Sequence, residues 1–179
     1  MNKLTKEERL HKLRSLHLVG DDQIQKLDQM GFFTAPASTK YHGNYEGGLF
    51  DHSWEVMQVL ITLTENNDLA WGNYYSPKVV GMFHDLCKCD QYIPIIDPTD
   101  GSVTYKRNDK CILKGHGEKS VMLLSQFFTL TEEEILCIRY HMGAYETDDW
   151  NEYDRAIRKY DNVLFTHTAD MIASKIMGV

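Results

Sequence analysis

Eight histidines in 179 residues are the first feature with chemical content. His11 and His17 sit in a charged N-terminal segment and read as solvated. The other six are His42, His52, His84, His116, His141 and His167, each at a predicted helix end or on a helix face, and Asp85 directly follows His84. A neutral imidazole beside a carboxylate is the donor set that a first-row divalent metal selects in mixed N/O coordination. Neighbouring residues on a helix point about 100° apart, so His84 and Asp85 can serve one ion only where other helices converge. His52, near the start of one predicted helix, and Asp170, on the last, can complete a four-residue shell. His116 and His141 lie on two further helices. With Asp85 bridging, they can hold a second ion about 3.5–4 Å from the first. A single helical histidine usually has another role, and a His–Asp dipeptide alone says little. The inference rests on the ordered set.

Other residues could assist. His42 and Glu46 lie in a Gly-rich, aromatic stretch (41–48) before His52, where they can touch a substrate or orient a ligand. The plainer alternative, equally weighted, is a loop held by its own hydrogen bonds. Lys114, Lys119 and Arg139 flank His116 and His141 and can bind phosphate, although a solvated helix face is the commoner fate of such charges. Glu118 is within a turn of His116 and can orient it. His167, three residues before Asp170 on the same helical face, suits a hydrogen-bond partner better than a ligand. Trp54, Trp71 and Trp150 offer stacking surfaces, but core packing is the better expectation for Trp54 at least. Cys87, Cys89, Cys111 and Cys137 form no second C-x-C pair, so four free and mostly buried thiols are expected.

The elements that must position these residues are mainly helical. Thr5 and Glu8 form a capping box ahead of Leu10, Leu13 and Leu16, which predicts a helix over about 5–17. Asp21 and Asp22 read as caps of a second helix that Gly31 ends. From Leu49 to about Thr64 apolar residues recur every three or four positions. Ser76 and Pro77 read as N-cap and first residue of a helix through Phe83. QYIPIID-PTDG-SVTYKR predicts a short hairpin. Helices follow at about 116–128, at about 132–142 behind the Thr131 cap, and at about 160–177. The fold class expected is all-α, a compact bundle with one hairpin insertion.

Composition narrows the function. Length and 42% hydrophobic content suit one packed domain. No apolar run approaches the roughly 20 residues of a spanning helix, and the charged N-terminus carries no secretory signal, so a cytoplasmic protein without membrane association is expected. With 19 Lys+Arg against 26 Asp+Glu, the net charge of −7 makes long duplex nucleic acid a poor partner. A small phosphorylated ligand stays compatible where local cations offset that charge.

The order His52, His84-Asp85, His116, His141, Asp170 resembles the HD-domain phosphohydrolase superfamily, and within it the branch with two additional histidines and a two-metal centre. PASTKYHGNYEGGLFDHS is similar to the P-A-x-x-x-x-H-x-x-x-x-G-G-L-x-x-H-[ST] motif of oligoribonuclease-like HD exonucleases. FHDLCK resembles the HD-[IL]-x-K core. GHGEKS, IRYHMGAY and HTADMIASK resemble segments of short, stand-alone bacterial and phage HD proteins. The likeness covers residues 35–179, a phosphohydrolase domain, and leaves residues 1–34 as an N-terminal helical extension. It implies that His52, His84, Asp85 and Asp170 hold one ion, and that Asp85 bridges to a second held by His116 and His141. It implies two divalent transition-metal ions such as manganese, iron or cobalt. Lys88 matches the lysine after HD and would sit by the substrate phosphate, making Asp85 and Lys88 the catalytic pair. His42, Glu46 and Arg139 are the remaining substrate-binding candidates. The GYP signature of cyclic-di-GMP phosphodiesterases is missing, because HMGAYETDD follows instead, and no nucleic-acid-binding module precedes the domain.

The function expected is therefore metal-dependent hydrolysis of a nucleotide or other small phosphate ester by an activated water. Two alternatives stand beside it. One is a phosphodiesterase or 3′–5′ exonuclease acting on short oligonucleotides or cyclic dinucleotides. The other is a non-catalytic nucleotide-binding regulatory module. Either way, an oligomer is compatible with the sequence.

Overall fold

The computed structural model describes residues 3–145 and 150–179, Tyr145 by its backbone alone. Glu146 to Asp149, the end of HMGAYETDD, lie outside the described residues. The chain is mainly helical with one two-stranded antiparallel sheet. Helices α1 (Lys6–Ser15) and α2 (Asp21–Met30) lead into α3 (Gly48–Asn66) and α4 (Ser76–Phe83). A 3₁₀ turn over Leu86–Cys89 precedes strands β1 (Tyr92–Ile96) and β2 (Val103–Arg107). Then come α5 (Gly117–Leu124), α6 (Glu132–Arg139), α7 (Trp150–Lys159) and α8 (Asn162–Met171), which continues into a π-helical turn over Ile172–Met177.

Local chemistry sets most boundaries. At α1 the capping box forms as expected: Thr5 Oγ1 accepts from the Glu8 amide (3.2 Å) and Glu8 Oε2 from the Thr5 amide (2.7 Å). Thr131 and Glu134 repeat the device on α6. Two capping expectations need correction. Gly20 caps α2, with Gln23 Oε1 accepting from its amide at 2.9 Å, and Asp21 and Asp22 fall in the first turn, where they face the positive helix end. Tyr75 caps α4, because the Ser76 hydroxyl is spent on Glu134 at 2.7 Å. Gly31 does end α2, at φ +95°, a conformation that disfavours a Cβ.

One core runs through the molecule. Phe32, Phe33, Phe50 and Phe83 are fully buried, with Phe32 5.5–5.7 Å from each of the other three rings. Leu13 of α1 and Ile24 and Leu27 of α2 bury into the same cluster as Leu60, Val80, Ile138 and Val163. Arg9 locks α1 to α3, since its Nε and Nη2 reach Asp51 Oδ1 and Oδ2 at 2.8 and 2.9 Å in a buried bidentate pair. Tyr45 donates to the same carboxylate at 3.0 Å. Where α4 crosses α3, a Cβ on Gly81 would lie 2.5 Å from Met57 Cα, so the helices that carry His84 and His52 can approach this closely only at a glycine.

Four segments depart from expectation. The helices expected over 116–128 and 132–142 are shorter, ending at Leu124 and Arg139. The helix expected over 160–177 begins at Asn162 and changes to π geometry after Met171. Helix α7 was not anticipated: WNEYDRAIRK is largely charged, and only Tyr153 and Ala156, one turn apart, are buried. Among the described residues no helix is long and apolar enough to cross a membrane.

Candidate metal centre

The six residues of the ordered set converge. His52 lies at the start of the second turn of α3, His84 at the end of α4 with Asp85 next to it, His116 at the start of α5, His141 just past α6, and Asp170 in the last turn of α8. All are buried except His116, which is partly so. Asp85 is the hub. Its Oδ2 lies 3.6 Å from His52 Nε2 and 3.5 Å from His84 Nε2, while Oδ1 lies 2.8 Å from His116 Nε2 and 3.5 Å from His141 Nε2. Each oxygen therefore serves its own histidine pair. Asp170 Oδ1 approaches His52 Nε2 at 3.1 Å, on the first side. Donors about 2.1 Å from a shared ion stand roughly 3.0–3.5 Å apart in octahedral or tetrahedral geometry, which is the spacing found here.

Ring orientation agrees with coordination. His52 Nδ1 donates to the backbone oxygen of Val179 (2.9 Å), His84 Nδ1 to Gly81 O (2.8 Å) and His141 Nδ1 to Ile138 O (2.7 Å). A carbonyl oxygen only accepts, so the proton belongs on Nδ1 and the Nε2 lone pair of each neutral ring points inward. These three Nε2 atoms are buried and make no well-formed hydrogen bond among the described residues. Lone pairs facing carboxylate oxygens in a dry site are costly unless a cation lies between them. The residues thus fit two overlapping metal groups, His52–His84–Asp85 and Asp85–His116–His141. His116 Nδ1 faces Cys87 Sγ at 3.4 Å.

Charge is balanced tightly. Lys88 Nζ lies 2.6 Å from Asp85 Oδ2 in a buried pair. Burial opposes the Asp85 charge, but Lys88, His84 and His116 outweigh it and hold the carboxyl well below its ordinary value. Lys88 is shifted up, because Asp85 outweighs the burial that works against its charge. Asp170 is likewise held low, chiefly by His52 against burial. His116, opposed by burial and favoured by Asp85, rises to about 9. His42 stacks on His52 at 4.8 Å between ring centroids. Burial above all pushes it down to about 4, and neither of its ring nitrogens has a hydrogen-bond partner among the described residues.

The remaining candidates lie further out. Glu46 is exposed, on the wall of a groove beside the centre. Arg139 is exposed and engaged by Glu118 at 3.2 Å and Glu152 at 3.7 Å, so its charge is compensated at the surface and Glu118 turns to it. Lys119 is buried against Asp90, and Lys114 is exposed. His167 is the hydrogen-bond partner expected, with Nδ1 2.7 Å from His141 O. Trp54 stacks on Phe50 and packs against the core, while Trp150 is exposed. The thiols are free, but only Cys87 and Cys137 are buried; Cys89 and Cys111 are partly exposed. Sequence reasoning missed the carbonyls of Gly81 and Ile138, each three residues before its histidine. Any residue type can supply a carbonyl, so no side-chain signal marks them. It also missed the Arg9–Asp51 lock.

Comparison of the chain with protein-family models, curated proteins and solved structures finds no match.

Proposed function

We propose that this chain is a metal-dependent phosphohydrolase of the HD-domain type, acting on a nucleotide or another small phosphate ester. One observation carries the reading: the two oxygens of buried Asp85 face different histidine pairs, with three of the four rings fixed by their Nδ1 bonds so that Nε2 points inward. His52, His84, Asp85 and Asp170 would hold one ion, and Asp85, His116 and His141 a second. Divalent ions so held lower the pKa of a bound water toward neutrality and polarise a phosphoryl oxygen.

The chain's own groups supply the rest. The backbone-oxygen bonds to Nδ1 fix three of the four rings before substrate arrives and make them better donors. Lys88 is buried, charged throughout the neutral range and adjacent to Asp85, which suits it to pair with a non-bridging phosphate oxygen. His42 is neutral at working pH and has unsatisfied nitrogens beside His52, so it can hydrogen-bond a substrate oxygen. A complete set of six ligating residues argues for turnover over a merely regulatory module, and the acidic chain argues for a small ligand over a long polyanion. Four unpaired thiols suit the reducing cytoplasm.

The test is a hydrolysis screen of nucleotides, simple monoesters and simple diesters with protein reloaded with manganese, iron or cobalt. Turnover of a monoester that Asp85→Ala abolishes is expected. Full turnover by Asp85→Ala would overturn the two-metal reading, and turnover confined to diesters would replace monoester hydrolysis by phosphodiester cleavage.

A further inference from the structure

A groove of about 360 Å³ lies between the Gly-rich loop and the hairpin, lined on one side by Pro36 and Glu46 and on the other by Tyr92, Pro94 and Tyr105. That volume is within the range of small-molecule sites. Strand side chains alternate faces, so Tyr92 and Pro94 share a face with Tyr105. Pro94 is paired directly with Tyr105, and Tyr92 is its diagonal neighbour. The hairpin therefore turns two phenol rings and a proline ring toward the groove. Both tyrosines are partly buried, while Ile96 and Val103, further along the same face, are exposed.

The groove lies close to the metal centre, within electrostatic reach of Lys88 and Asp85. Cys89, which also lines it, directly follows Lys88, whose ammonium holds Asp85. Burial raises the Tyr92 hydroxyl pKa, and the charges of Lys88 and Asp85 reach it. Burial likewise raises Tyr105, with the Glu46 carboxylate adding to the effect from across the groove.

We infer that this groove is the nucleobase subsite of the proposed active site, with a base lying flat on the Tyr92–Tyr105 face and its amino edge turned to Glu46. The inference rests on the phosphohydrolase reading for where the phosphate lies. Aromatic rings bind every base through its π-face, so the platform selects a nucleotide over a bare sugar phosphate without choosing among bases. A carboxylate only accepts hydrogen bonds, so Glu46 facing position 6 of the base favours the adenine amino group over the carbonyl oxygen that hypoxanthine carries there.

Equilibrium binding of the non-hydrolysable phosphonate analogues of adenosine 5′-monophosphate, inosine 5′-monophosphate and ribose 5-phosphate to the full, metal-loaded chain tests this. The wild type is expected to prefer the adenine nucleotide over ribose 5-phosphate. Tyr105→Ala and Tyr92→Ala should each cut that preference about 5- to 100-fold, and Tyr105→Phe should retain it because the ring remains. Glu46→Gln should shrink the preference for the adenine over the hypoxanthine nucleotide. A collapsed hairpin would weaken both ligands together and leave the ratio unchanged, and that result would overturn the inference. So would a wild type that binds ribose 5-phosphate as tightly as the nucleotide. Hydrolysis of adenosine 5′-monophosphate itself and metal content report separately on the phosphohydrolase reading. Their failure with the binding ratios intact would sink that reading and leave the base subsite standing.

Discussion

Replacing Arg9 with methionine should cost this protein a large part of its stability. The guanidinium and Asp51 form two charge-assisted hydrogen bonds of 2.8 and 2.9 Å, with side chains only 4% and 10% exposed. Hydrogen bonds to charged groups contribute roughly 1.5–3 kcal/mol each. Removing one partner of a buried pair costs about 3–5 kcal/mol, because the other charge stays buried. Asp51 would retain the Tyr45 hydroxyl at 3.0 Å, which carries no charge to compensate the carboxylate. Against a total stability of roughly 5–15 kcal/mol, that loss is severe, and at about 2–4 °C per kcal/mol it lowers Tm by roughly 6–20 °C. Urea denaturation followed by circular dichroism measures it. The double variant Arg9→Met, Asp51→Leu removes both charges and should recover about 2–3 kcal/mol relative to the sum of the single variants. A single-variant loss below about 1 kcal/mol, or strictly additive singles, would refute the claim that this pair locks the N-terminal helices to the helix bearing His52.

Further substitutions address the site and its scaffold. Gly81→Ala places a Cβ 2.5 Å from Met57 Cα, so α3 and α4 must separate; a loss of about 1–3 kcal/mol in the same assay is expected, with weakened metal retention on dialysis. His167→Ala removes the bond to His141 O and should loosen the second ion more than the first, read as preferential loss of one equivalent under mild chelation. Lys88→Ala should keep the metals yet lower turnover, and unchanged turnover would remove Lys88 from phosphate binding.

The ligand set was readable because coordination demands particular side chains, and His52, His84, Asp85, His116, His141 and Asp170 recur on successive helices in one order. Capping chemistry likewise gave away α1 and α6, whose Thr–Glu boxes are local and self-contained. Where a polar side chain had two possible partners, tertiary context decided. Ser76 could cap α4 but donates to Glu134, fifty-eight residues later in the chain. Arg139 lies two residues from His141 but is drawn to Glu118 and Glu152. Helix α7 carried a legible signature that sequence reasoning missed: Trp150, Tyr153 and Ile157 recur at helical spacing, and Tyr153, Ala156 and Ile157 pack on the core. The Tyr92–Tyr105 face was hidden for a different reason: the residues are thirteen positions apart, and hairpin register brings them together.

Metal content by elemental analysis, on the wild type and on His141→Ala after identical reloading with manganese, tests the central claim most directly. Nearly two ions per chain, falling to one in His141→Ala and to none in Asp85→Ala, is the result expected from a carboxylate whose two oxygens face separate histidine pairs. One ion that persists unchanged in His141→Ala, or none in any sample, would contradict the dinuclear centre.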